Sequence, residues 1–104
     1  HVISDLRLAL KDQNEWVRHA AAHALGNLKP TDTQTVLPAL CLALKDESSD
    51  VRHAAAQALG NLKPIDVTHV ISDLLLALKD KNERVRHAAA HALGNLKPTD
   101  VTHV

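Results

Sequence analysis

The sequence predicts an all-α fold, a right-handed α-solenoid of stacked antiparallel helix pairs, from two observations. The stretch "VRHAAAHALGNLKP" at residues 17–30 returns as "VRHAAAQALGNLKP" at 51–64 and as "VRHAAAHALGNLKP" at 85–98, a period of 34 residues. Upstream of each copy, "ISDLRLALKD", "LPALCLALKD" and "ISDLLLALKD" align in the same frame. A single helical hairpin of this size cannot bury its apolar face, whereas stacked neighbours can. Residues 1–30, 31–64 and 65–98 form three units, and 99–104 open a fourth in the phase of His1-Val2 and His69-Val70. That frame is expected of a piece of a longer array.

Within each unit two segments read as helix. The first covers residues 2–11, with Ile3, Leu6 and Leu10 on one face and Ala9 beside them. Its equivalents are expected to begin near Asp32 and Asp66, where Asp can accept from free backbone N–H groups. The second helix starts after Asn14, Ser48 or Asn82, each a good N-cap. Glu15, Asp50 or Glu83 in the first turn favours the dipole. It is expected to run to about Leu28, stopped by Lys29-Pro30. Val17, Ala21, Ala24, Leu25 and Leu28 make its predicted buried stripe. Gly26 either allows close helix approach or caps the helix.

Composition narrows the function. Apolar residues make up 45% of the 104, almost all aliphatic, with Trp16 the sole aromatic. Such a core suits closely packed helices. Twelve basic and twelve acidic residues cancel, so nothing draws the chain to nucleic acid or an acidic membrane. Cys41 is the only cysteine, so no internal disulfide forms. No apolar run is long enough to span a bilayer, and no signal peptide is legible. A soluble, cytoplasmic protein is expected.

The string "LALKDxxxxVRHAAAHALGNL" resembles HEAT-like repeats of the phycobilisome-lyase type, across all three units. It departs in length, because the extra residues of "KPTDTQT" and "KPIDVTH" lengthen the connection between units. The same period occurs in tetratricopeptide repeats, but those need large aromatics that this chain lacks. The resemblance implies that Arg18, Arg52 and Arg86 pair with turn residues Asp12, Asp46 and Asp80 in a ladder along the stack. It also implies that the second helices line a concave face. On that face the outward residues are His19, Ala20, His23 and Asn27; His53, Ala54, Gln57 and Asn61; and His87, Ala88, His91 and Asn95.

The leading expectation is a non-catalytic scaffold, without cofactor, that binds a protein or peptide through this face. The alternative is a metal-binding or tetrapyrrole-handling protein. Its candidate ligands are His19 with His23, and His87 with His91, which share a helical face at i, i+4. A tight zinc site wants more ligands, and Gln57 replaces the second His of the middle unit. Deoxyhypusine hydroxylase, built from similar repeats, uses His-Glu pairs; here the matching positions read His19-Ala20, His53-Ala54 and His87-Ala88. The carboxylate is missing each time, so that activity does not carry over. No Ser-His-Asp, Cys-His or phosphate-binding arrangement is legible, and the chain is read as no enzyme. Cys41 reads as a half-buried filler, and Lys29, Lys63 and Lys97 as a solvated rim.

Trp16 is either a contact anchor or a cover for the end of the core. Leu8, Leu42 and Leu76 form a further row, covered by the long connection or exposed as an apolar patch. Protonation below about pH 6.5 is expected to turn the groove positive. The outer side of the first helix carries no polar shield, which opens head-to-tail self-association.

Overall fold

The computed structural model describes residues 2–28, 33–62 and 68–96. Six helices follow one another: α1 Val2–Ala9, α2 Glu15–Leu25, α3 Thr33–Ala43, α4 Ser49–Leu62, α5 Thr68–Ala77 and α6 Glu83–Leu96. No strand occurs among the described residues. They form three hairpins, α1 with α2, α3 with α4 and α5 with α6, and the pairs stack in chain order. One layer holds α1, α3 and α5; the other holds α2, α4 and α6, whose members touch one another far more extensively. This is the predicted α-solenoid of helix pairs.

The helix starts follow the sequence closely. Asn14 caps α2 from an extended backbone, its Oδ1 accepting from the N–H groups of Trp16 and Val17 at 2.8 and 3.3 Å. Asn82 Oδ1 accepts from Arg84 and Val85 in the same way. Such a side chain satisfies donors that the first turn would otherwise leave open. The predicted starts at Asp32 and Asp66, the stop at Pro30 and the lysine rim of Lys29, Lys63 and Lys97 lie outside the described residues.

The core is aliphatic. Leu25, Leu40, Leu59 and Leu74 are fully buried, with Val36, Val51, Val70 and Val85 between them. Burying each leucine contributes about 1.5–3 kcal/mol relative to leaving it in water. Ile3, Leu6, Leu10 and Leu28 pack against this core from its margins.

Three expectations are corrected. The predicted buried stripe includes Val17, yet Val17 is 40% exposed while its counterparts Val51 and Val85 are at 0%. These valines face the preceding unit, and among the described residues none precedes α2. Second, α2 ends at Leu25, with turns to Asn27, whereas α4 and α6 extend to Leu62 and Leu96. Third, a single stripe understates the burial of the second helices. Ala22 and Ala56, outside the predicted stripe, are completely covered by the following unit.

Gly26 serves both roles the sequence left open. It follows α2 as C-cap, with a right-handed backbone at φ −67°. A Cβ placed there would lie 2.8 Å from Ala58 Cα, and one on Gly60 would lie equally close to Ala92 Cα. Glycine at these positions lets the second helices touch backbone to side chain.

Candidate functional site

Three sides of α4, the inner second helix, are occupied. Ala58 meets Gly26 of α2, Gly60 meets Ala92 of α6, and Val51, Ala54, Ala55, Ala56 and Leu59 are buried around them. What remains outward is a row one residue wide. His23 and Asn27, Gln57 and Asn61, and His87 and His91 stand exposed, with His19, His53 and Asn95 half-buried. All of these but His19 wall a groove of about 330 Å³ across the second-helix layer. Its floor is Ala54, Ala58, Ala88, Ala92 and Gly60.

The alanine row was expected to point outward, and this is corrected. Ala54 and Ala88 are 1% and 4% exposed because the preceding second helix packs over them; Ala20 alone is exposed. They line the groove as its bottom, beneath the imidazoles and amides. Trp16 is 60% exposed and meets the His19 ring edge-on, with centroids 6.1 Å apart. Most of its surface is open, so it does not close the end of the core.

The arginine ladder implied by the resemblance is present in two rungs among the described residues, Arg18 to Asp46 and Arg52 to Asp80, while Arg86 reaches only the Asp80 carbonyl. Arg18 holds Asp46 with two parallel bonds, Nε to Oδ2 at 2.8 Å and Nη2 to Oδ1 at 3.1 Å. Its Nη1 donates to the Asp12 and Gln13 carbonyls of its own turn. Arg52 repeats the pattern with Asp80 and with the carbonyls of Asp46 and Glu47. Each aspartate also accepts from the turn N–H two residues on, Ser48 or Asn82. The ladder therefore ties each second helix to its own turn and to the next. The hydrogen bond to Asp46 raises the Arg18 pKa against the opposing pull of burial. For Asp80, burial pushes the carboxyl up, but hydrogen bonds from Arg52 and the Asn82 N–H outweigh it and hold it below the usual 3.8. These arginines are spent on structure and leave no row for phosphate.

His53, at the middle of the groove, is lowered from the usual 6.5 by burial first and then by the Arg84 guanidinium, with Asp50 opposing. The unfolded chain therefore binds a proton there before the folded chain does. The folded state loses His53's contribution as pH falls from 6.5 toward the lowered value. His53→Gln is expected to reduce the loss of urea stability over that window, measured against the parent at matched pH.

The metal alternative finds limited geometry. His87 and His91 rings face each other with centroids 6.4 Å apart. Among the described residues no group of three or more His, Cys, Asp or Glu side chains is disposed to hold a metal ion.

A second hollow, of about 410 Å³, lies between α3 and α5. Leu37, Pro38, Cys41 and Leu42 line one side, His69, Val70 and Asp73 the other. Cys41 is half-buried, as expected, and its thiol is pushed up to about 12, chiefly by burial and then by Asp73. A thiol so placed is a poor nucleophile. This hollow was missed in the sequence because its walls come from two units; its one local signal was Pro38, standing where Ser4 and Ser72 stand. Leu8, Leu42 and Leu76 are 67%, 67% and 60% exposed, so that row is an apolar strip on the first-helix layer.

No helix among the described residues is long and apolar enough to cross a membrane. No curated protein matches the chain. A family model describing HEAT repeats matches residues 2–60 and, in a second placement, residues 37–104. The match is to HEAT repeats at large and does not single out the phycobilisome-lyase type. Repeats of this class serve in general as protein-interaction scaffolds. Since the two placements together span nearly all of the helix pairs and the arginine ladder between them, the chain belongs to the family of HEAT repeats.

Proposed function

We propose that the protein is a non-catalytic scaffold that binds an extended peptide segment of a partner protein in the groove across α2, α4 and α6. The observation that supports this reading is the composition of the groove. Its floor is alanine and glycine, small enough for a backbone to approach, and its walls are uncharged hydrogen-bonding groups. Asn27, Asn61 and Asn95 recur along it in step with the stack, and each offers both a donor and an acceptor to a peptide backbone. Nucleic acid would call for a basic wall with stacking aromatics, and the groove has neither.

The chain, immobilised, should enrich binders from an unbiased displayed peptide library. Those peptides should lose at least about tenfold in affinity, worth 1.4 kcal/mol, when Gln57 and Asn61 are both replaced by Glu. Both side chains are exposed, so the fold is kept. Peptides that ignore this change but depend on Leu42 and Leu76 would assign the binding to the opposite face and overturn the proposal.

A further inference from the structure

The first-helix layer carries a pattern of its own. Leu8, Leu42 and Leu76 recur once per unit and stand 67%, 67% and 60% exposed. Leu42 sits on α3, which has a first helix on either side, and it is as open as Leu8. The strip is therefore a property of every unit, whatever its place in the stack. A lone exposed leucine is ordinary, but a row of them in register marks an interaction surface.

Three residues beyond each leucine stands a lysine, Lys11, Lys45 or Lys79, and all three are exposed. Among the described residues none of them is held in an ion pair. About one helical turn separates the two rows, so an apolar line and a cationic line run side by side along the stack. Nearby carboxylates are engaged elsewhere: Asp46 and Asp80 in the arginine ladder, and Glu47 at 3.8 Å from Arg18 Nη2. Between α3 and α5 the strip opens into the hollow of about 410 Å³, where Leu37, Leu42 and Val70 are apolar walls. Asp73, the carboxylate in that lining, accepts from the Cys41 thiol.

We infer that the strip binds an amphipathic α-helix of a partner protein, acidic on one flank and laid across α1, α3 and α5. Spacing and charge carry the assignment. Packed helices lie about 8–10 Å apart, and seven residues of a helix climb about 10.5 Å. A helix crossing the layer therefore brings the same face back to each successive unit, within a drift of about 20° per seven residues. An apolar residue at every seventh position meets the leucine strip, and the acidic flank meets the lysine row. The lysines lie on one side only, so charge also fixes the direction in which the helix runs. Its middle apolar side chain enters the hollow beside Leu42. An extended strand fits poorly here, because its backbone polar groups would lie against leucine without partners. A helix satisfies its own.

The test uses a helical probe of about 21 residues, enough for three units, with leucine at every seventh position and glutamates along one flank. Short linear peptides do not report on this face, since a helix below about 12–15 residues is marginal in water. Fluorescence anisotropy should show saturable binding that Leu42→Glu weakens at least about tenfold. Lys45→Glu with Lys79→Glu should weaken it likewise, and a probe carrying lysines in place of its glutamates should bind that variant better than the parent. All three side chains are exposed, so the fold is kept, as circular dichroism will check. Gln57→Glu with Asn61→Glu, in the groove, should leave the probe's affinity unchanged. Replacing the probe's middle leucine by alanine should cost more than replacing an end one. No binding up to about 1 mM would overturn the inference. So would binding that Leu42→Glu leaves intact, or that ignores the charge exchange. Sedimentation of the chain alone covers one more occupant: a dimer that Leu42→Glu dissolves would give the strip to a second copy and overturn the helix assignment.

Discussion

Arg52→Ala is expected to destabilise the protein by about 3–5 kcal/mol, the usual cost of removing one partner from a buried ion pair. The Arg52 side chain is 8% exposed and its partner Asp80 is 13% exposed. Removing the guanidinium strands the Asp80 carboxylate and takes donors from the Asp46 and Glu47 carbonyls at once. It cuts the rung between the second and third units. Urea unfolding followed by circular dichroism should show a lower midpoint, and the transition should broaden as the third unit uncouples from the first two. Acid sensitivity supplies an internal check. The folded Asp80 pKa is depressed, so its contribution is present above 3.8 and is lost as pH falls through the depressed value. In Arg52→Ala that contribution should be smaller already at neutral pH. An unchanged midpoint would mean that the ladder is incidental to stability.

The second large effect is expected at Gly60. A side chain there starts from a Cβ 2.8 Å from the Ala92 Cα and 2.9 Å from its Cβ. Backbone atoms cannot rotate away as a flexible side chain can, so α4 and α6 must separate. Gly60→Leu should therefore cost about 3 kcal/mol, the upper end for overpacking a filled interface. Gly94 occupies the equivalent position with open space around it, and Gly94→Leu should leave the monomer as stable as the parent or slightly more so. Parallel thermal melts at low protein concentration make the comparison. Equal losses at both sites would show that helix propensity, not contact, governs these glycines.

The two glycines also show what the sequence could and could not convey. Periodicity and capping residues were enough for the hairpins, because Asn14 and Asn82 act locally and Leu25 and Leu59 follow the helical repeat. Burial by neighbouring units was not legible, because it depends on place in the stack and not on residue type. Val17 and Val51 are the same residue in the same motif, yet one is 40% exposed and the other fully covered. Reading each second helix as amphipathic allowed it one buried side. In the stack it has three, two of them built from residues as small as alanine and glycine, which hydrophobic patterning scarcely registers. For the same reason the histidine and amide rows were found, while Ala54 and Ala88 were wrongly turned outward. The hollow beside Cys41 escaped because its two walls are about one repeat apart in sequence.

The glycine–alanine seam has a mechanical consequence. Second helices meet through the smallest residues available, whereas first helices carry leucines and barely touch one another. Each unit is therefore a wedge with its thin edge at the seam, and the wedge angle sets the bend of the whole row. Side-chain volume at two positions per unit acts as a shim. A methyl group added at the seam opens the arc. The curvature of the groove is thus set by the same small residues that form its floor.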